Sequence, residues 1–564
     1  MHALARVLLL MALTLSAPVS APSQSVSPQS KEVNAAGTIS GRVTIAGKPA
    51  ANIPVAVMPD PQRMPRGRIV GSSTTDADGH FQITHVPAGR FYVRAVAPVF
   101  YNEAEGNDYP GGSAITLADG ETVEDIHLAL RRGGVITGRV TEETGRPLIQ
   151  EYIHLYRINP RDARHEPYNR NYTVMQTDDR GIYRIYGLPP GRYLVSAGIP
   201  AGRDGSASMS RGNSYYPQTF YPSVRDEAKA GEVEVTEGGE ATGIDLALGH
   251  TEKSYTALVR VVADSGKPVA GARCGYGTQD QNGRFMGISA IGPESNADGQ
   301  CRIEGVVPGK YVAFVVLLNE TSPAYANGPP SPAKAQSADN YTFDPAPFEI
   351  TDSDVSDVEI KLRAGASVSG TVVIEGLSEQ EAATHFRELN LNVAMEGPIT
   401  TPRFNRPQIN ADGSFRIGGL AAGRGRVYLS SFLGRNFRLL RVEREGADLT
   451  AGFDLDAGEN LTGLRLVVGF GTGVIRGEVK FADGPLPAGF RAFVTVRRVG
   501  DSPPQNAFAQ VDARGHFVVE DLLPGEYTLT AGSRSKPVNK TVSVTNDNEA
   551  QVTIVLERPT GNNQ

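Results

Sequence analysis

His385-Phe386-Arg387-Glu388, with His516 much further along, has the residue types of a metallocarboxypeptidase zinc site, where a His-x-x-Glu pair and a distant His converge on one ion. Spacing alone does not make the site. His385 and Glu388 fall in a stretch that reads as helical, His516 falls in a hairpin turn, and neither surrounding has room for the large α/β catalytic domain of that enzyme class. Asp76, Asp78 and Gly79 carry calcium-type ligands but lack the later bidentate Glu of an EF-type loop, so turn chemistry accounts for them. There is no Gly-x-Ser-x-Gly elbow, no Walker or dinucleotide loop, and no recurring Ser, His and Asp at a common place. The chain therefore reads as a non-enzyme, with no catalytic residue, no metal and no cofactor.

Aromatic residues in polar, Gly/Pro-rich loops offer a different chemistry. Phe100-Tyr101-Asn102 runs to Tyr109-Pro110-Gly111, Tyr215-Tyr216-Pro217-Gln218-Thr219-Phe220-Tyr221-Pro222 follows in the next part of the chain, and Tyr325 leads to Tyr341-Thr342-Phe343. Tyr101, Tyr109, Tyr215, Tyr216, Phe220, Tyr221, Tyr325 and Tyr341 are the candidate ligand-binding residues, offering flat apolar faces and hydroxyls to a sugar ring or a protein partner. Three such loops in series would bind with avidity. The alternative is that the rings fold back as a lid over a sheet edge, and the absence of Trp counts against sugar stacking.

The two cysteines, Cys274 and Cys301, occupy positions that alternation marks as inward. A disulfide between them would close a loop worth roughly 3.5 kcal/mol in the chain-entropy model, and two separate buried thiols are the alternative. No Cys-x-x-Cys supports a redox role.

The elements that position these residues repeat. A turn of the form Asp-x-x-Gly, a core residue on a short strand, a Pro-Gly-type turn and another aromatic strand recur at Asp76–Phe91, Asp178–Tyr193, Asn296–Tyr311, Asn410–Arg424 and Asp512–Tyr527. In the first copy Ile39–Ile45 alternates as an opening strand, Ala46-Gly47-Lys48-Pro49 turns, Ile53–Val57 follows, and Ile126–Leu130 closes. Each copy thus has about seven short strands of period-two alternation, the pattern of a two-sheet sandwich. Five copies of roughly a hundred residues match ordinary domain size. The expected division is 37–130, 131–249, 250–363, 364–468 and 469–558, with a tail at 559–564. Short gaps such as Arg131-Arg132-Gly133-Gly134 predict restricted bending, hence a rod. In the fourth copy Ser378 and Glu381 form a capping box and predict a short helix.

Gly 63 and Pro 38 in 564 residues suit a turn-rich all-β chain, and a net charge of −7 gives no basic stripe for nucleic acid. Residues 1–23 combine Arg6, an apolar run from Val7 to Leu15 and small residues, the pattern of a cleaved signal peptide, with 24–36 as linker. The apolar run is too short to span a bilayer, and no later stretch reaches that length, so the mature chain is expected to be secreted or periplasmic, with no transmembrane segment.

The Gly-Arg-Val-Thr opening strand, the Gly-Lys-Pro turn, the Asp-x-x-Gly-x-Phe hairpin and the Pro-Gly-Arg-Tyr strand together resemble the carboxypeptidase regulatory-like domain. That is a transthyretin-like β-sandwich, related to the Cna B-type repeats of bacterial surface proteins and classed with carbohydrate-binding-like folds. The resemblance covers nearly all of residues 37–558 and implies accessory, non-catalytic modules. Some Cna B-like domains form a Lys-Asn isopeptide; Lys480 lies in an opening strand here, but no Asn partner is apparent. These features predict an exported, non-catalytic β-sandwich array that binds or spaces something in the bacterial envelope or outside it. The alternative is a carbohydrate-binding accessory protein using the Tyr-rich loops, so the expected partner is a polysaccharide or another envelope protein.

Overall fold

The structure, a computed structural model, describes residues 36–59, 69–102, 112–160, 162–168, 175–200, 213–279, 285–316, 341–396, 409–429, 436–487, 490, 492–501, 506–533, 536–546 and 548–558. The leader and most of the linker, the tail 559–564, Tyr109 and Tyr325 lie outside the described residues.

One strand pattern recurs along the chain. In the first repeat the opening strand Gly37–Ile45 runs antiparallel to the hairpin strand His80–Val86 and parallel to the closing strand Thr122–Arg132. The same three-strand motif is built by Gly134–Thr141, Tyr255–Ala263, Ala366–Glu375 and Gly473–Phe481 with their own hairpin and closing strands. The facing sheet joins the second strand, Pro54–Pro59 in the first repeat, to the strand after the Pro-Gly turn, Gly89–Ala95. Period-two alternation sends one set of side chains between the two sheets, and five separate apolar clusters result, each drawn from one repeat. Strand number is not uniform: nine described strands lie between Gly37 and Arg132 but seven between Gly473 and Leu556.

The Asp-x-x-Gly turn works the same way in four of the five copies. Asp76 Oδ1 accepts from the amides of Asp78 and His80, at 2.9 and 2.8 Å, and Asp178, Asn296 and Asp512 do likewise. The glycine of the turn has positive φ, 77° at Gly79 and 90° at Gly515, which a side chain would strain.

Register explains why an aromatic follows the turn. Gly41, Gly138, Gly370 and Gly477 of the opening strands stand opposite Phe81, Tyr183, Phe415 and Phe517. A Cβ on Gly41, Gly138 or Gly370 would overlap the backbone of the closing strand, and one on Gly477 would overlap the Phe517 ring. The missing side chain leaves room for a large ring. In the third repeat the pair is Val259 and Cys301, a larger residue opposite a smaller one. Cys301 is bonded to Cys274 across the two sheets, with Cα atoms 6.2 Å apart.

Ser378 caps the helix Glu379–His385, and both bonds of its capping box with Glu381 are present. Among the described residues no helix is long and apolar enough to cross a membrane.

The rod expected from short linkers is not what forms. The fifth repeat lies against the first, through hydrogen bonds that join Arg90 to Gln510 and Thr116 to Asp512 and Arg514. Short linkers restrict bending at each junction, but small fixed rotations accumulate along a tandem array. A straight array could not bring its ends together.

Candidate functional site

The aromatic segments of the first three repeats sit at junctions. Phe100–Asn102 pairs antiparallel with the end of the closing strand, Tyr101 opposite Arg131, and the amide of Gly133 donates to Val99 O at 3.0 Å. Ser214–Tyr215 pairs with Glu252–Lys253, where the chain enters the third repeat. There the Tyr215 hydroxyl donates to Glu252 Oε2 at 3.0 Å, and the ring packs against Ile199 and, from the third repeat, Val307. Burial and the Glu252 carboxylate both push the Tyr215 hydroxyl pKa well up. Tyr341–Phe343 pairs with the end of the third closing strand, Tyr341 opposite Ala364. The fourth repeat has an equivalent that its sequence did not announce: Phe437–Arg444 pairs with Asn460–Phe470, and Gly471 N donates to Asn436 O at 2.8 Å.

Of the candidate rings this placement buries three and half-buries three more. Tyr101, Tyr215 and Phe220 are buried, the last against Ile158 and Leu194. Tyr216 and Tyr221 are half-buried against the core of the second repeat and Tyr341 against that of the third. In the first and third repeats the segment crosses to the open side of the closing strand, whereas in the second Thr219–Phe220 joins the facing sheet beside Gly191–Ala197.

The residues weighed for metal or isopeptide chemistry are dispersed. His385 Nδ1 lies 3.2 Å from Glu388 Oε1, and its ring packs beside Phe437 and Phe470. His516 lies in the fifth repeat, and among the described residues no three metal-ligating side chains converge. Lys480 Nζ pairs with Glu478 at 3.1 Å on the half-exposed face of its sheet.

The most elaborate polar site lies where the fifth repeat meets the first. Ser113–Leu117 is the edge strand of the first repeat's second sheet, bound on one side only to Gly89–Ala95. On its open side the amide of Thr116 donates to Asp512 Oδ2 at 3.2 Å, and Arg514 Nη2 donates to the Thr116 carbonyl at 2.6 Å. An acid and a guanidinium two residues apart thus satisfy both backbone groups of one edge residue, as a neighbouring strand would. Arg514 also pairs with Glu121 at 3.1 Å, and Arg476 Nη1 reaches the Leu117 carbonyl at 3.4 Å. Asp512 performs its ordinary turn role through its other oxygen, so one carboxylate both shapes the hairpin and grips the first repeat. The side chain of Asp76, its counterpart, is 59 % exposed, against 2 % for Asp512. Sequence reading missed this clamp because all five turns share one motif; the Asp-x-Arg spelling was a signal, but Asp178 and Arg180 share it and remain on the surface.

The chain matches no protein-family model and none of the curated proteins. Among solved structures it is similar to a streptococcal ancillary pilin, at 14% identity and a TM-score of 0.24, over 58% of this chain and 99% of that one. It is also similar to the TIE protein of Bacillus anthracis, at 8% identity and a TM-score of 0.15, over 94% and 76%. The minor pilin of Streptococcus agalactiae matches at 12% identity and a TM-score of 0.21, over 41% and 96%. Scores this low carry over neither a whole-chain arrangement nor a function.

Proposed function

We propose that the chain is an exported, non-catalytic structural protein: five β-sandwich domains of the carboxypeptidase regulatory-like kind, braced at their joints and closed end to end, holding a fixed surface for a partner in the bacterial envelope or outside it. The observation that carries this reading is the grip of Asp512 and Arg514 on Thr116, which commits the fifth repeat to the first. The aromatic segments support it, because their rings brace the steps between repeats. The Cys274–Cys301 bond fits an oxidising compartment outside the cytoplasm.

Small-angle scattering of the mature chain and of Arg514→Ala tests the closure. The wild type is expected to give the smaller radius of gyration and the variant a larger one with unchanged circular dichroism. Equal, rod-like scattering from both would overturn the reading. A polysaccharide that retains the wild type but not a variant with Tyr215, Tyr216 and Tyr221 all changed to Ala, at equal stability, would return the aromatic segments to a binding role.

A further inference from the structure

The second sheet of the fifth repeat runs in the order Asn506–Gln510, Phe493–Arg498, Gly525–Ser533, Lys536–Val544, so Asn506–Gln510 is an edge strand. Its inner face is small: Ala509 is buried in the core of the repeat and Ala507 packs against it. Its outer face is large and apolar. Phe508 is 65 % exposed, and Phe493, on the same face and diagonal to it on the next strand, is 57 % exposed. The amide of Val511 donates to Ala492 O at 2.9 Å. By alternation the backbone groups of Ala509 and Ala507 also turn into the sheet, and those of Phe508 and Gln510 turn outward, where no described strand pairs with them.

An open edge of this kind is a template for another strand, and the corresponding edges of the first three repeats offer less. Gly71–Thr74 of the first has only small side chains, and His165–Pro167 of the second carries a Glu and ends on Pro. Phe285–Glu294 of the third is broken by three register shifts against its neighbour. On the far edge of the fifth repeat's own sheet, Lys536–Val544 carries Pro537 and Lys540. Asn506–Gln510 has neither charge nor proline, and it pairs with Phe493–Arg498 without a shift. The strand also reads alike in both directions about Phe508: an amide residue, Ala, Phe, Ala, an amide residue. A two-fold interface requires this self-complementarity. With the axis at Phe508, an antiparallel copy sets Phe508 opposite Phe508, Ala507 opposite Ala509 and Asn506 opposite Gln510, and the outward backbone groups meet in pairs. No charge on the strand meets its own copy across the axis.

We infer that two copies of the chain pair through Asn506–Gln510 of the fifth repeat, joining two four-stranded sheets into one of eight strands about a two-fold axis at Phe508. Phe493 and Phe508 of each copy then form a continuous row of rings across the joint. Gln510 also links this joint to the contact with the first repeat, because its Oε1 accepts from Arg90 Nη2 at 2.8 Å. The pairing goes beyond the proposed function and needs only the fifth repeat's edge, so its test is separate from that of the closure.

Sedimentation equilibrium of the full mature chain over a range of concentrations tests it. The weight-average mass is expected to rise from one chain toward two. Phe508→Lys, at an exposed position, is expected to weaken association at least about a hundredfold, through two lost rings and two like charges on the axis, with circular dichroism and melting unchanged. Phe508→Glu is expected to be monomeric alone, and an equal mixture of Phe508→Lys and Phe508→Glu to recover the dimer. A wild type that stays monomeric at every concentration, a dimer that persists in Phe508→Lys, or a mixture that stays monomeric would overturn the inference. So would a monomer whose Phe508 and Gln510 amides are protected from exchange, because the edge would then be covered by the chain's own residues. Scattering from the monomeric Phe508→Lys chain reads the closure by itself.

Discussion

Tyr193, Tyr311 and Tyr527 each turn a hydroxyl back onto the carbonyl four residues earlier, Pro189, Val307 and Leu523, at 2.8, 2.9 and 2.8 Å. This bond ties the Pro-Gly turn to the strand it starts, which gives the last aromatic of the repeated motif its reason. Tyr527→Phe keeps the ring but leaves the Leu523 carbonyl unpaired. It is expected to cost about 1–2 kcal/mol, read from denaturant unfolding. Burial pushes the Tyr311 and Tyr527 hydroxyls up to about 12, above the unfolded value of about 10. A folded pKa raised in this way contributes stability that is complete below pH ~10 and is lost as pH rises through about 12. The part of the tyrosinate absorbance that Tyr311→Phe and Tyr527→Phe remove should therefore appear in that window together with the change in circular dichroism; its appearance at pH ~10 with the fold intact would contradict the burial. The Gly and aromatic residues were legible in the sequence one by one. Their pairing, Gly41 with Phe81 or Gly477 with Phe517, needed the register between strands far apart in the chain.

At the level of elements, turns and alternation carried most of the information. The Asp-Gly hairpins, the Ser378 capping box and the inward positions of Cys274 and Cys301 are local signals, set by φ, capping and period two. Where the aromatic segments go is decided by which sheet edge stands open, and composition does not encode that. Tyr215 shows the consequence, with its ring between Ile199 and Val307 and its hydroxyl on Glu252. Tyr215→Ala is expected to lose about 3 kcal/mol, in the range for truncating a buried aromatic, with the loss seen as weaker amide protection at the junction of repeats two and three. A loss below about 1 kcal/mol would mean that the ring braces nothing. Replacing Cys274 and Cys301 together, by Ala and Val, should lower the stability of the third repeat by about 3.5 kcal/mol. Calorimetry that leaves its transition in place would contradict a bond that limits the unfolded chain.

For the whole molecule the decisive contact is between residues nearly four repeats apart, and no local pattern announces it. Short linkers encode the stiffness of each junction but not the direction in which successive junctions turn. Asp512, Arg514 and Gln510 acquire their role only because the first repeat's edge strand arrives beside them. Closure also covers that edge, which would otherwise present unpaired backbone groups to another chain. Its contacts are largely charged and partly exposed, so high salt should weaken it in the same direction as Arg514→Ala. The most direct test is a distance measurement between spin labels at Asp119→Cys and Asn548→Cys, exposed turn positions on the two sides of the contact, with Cys274 and Cys301 left bonded. The closed chain predicts one narrow, short distance in the wild-type background and a long, broad distribution after Arg514→Ala. A long, broad distribution in both would contradict it.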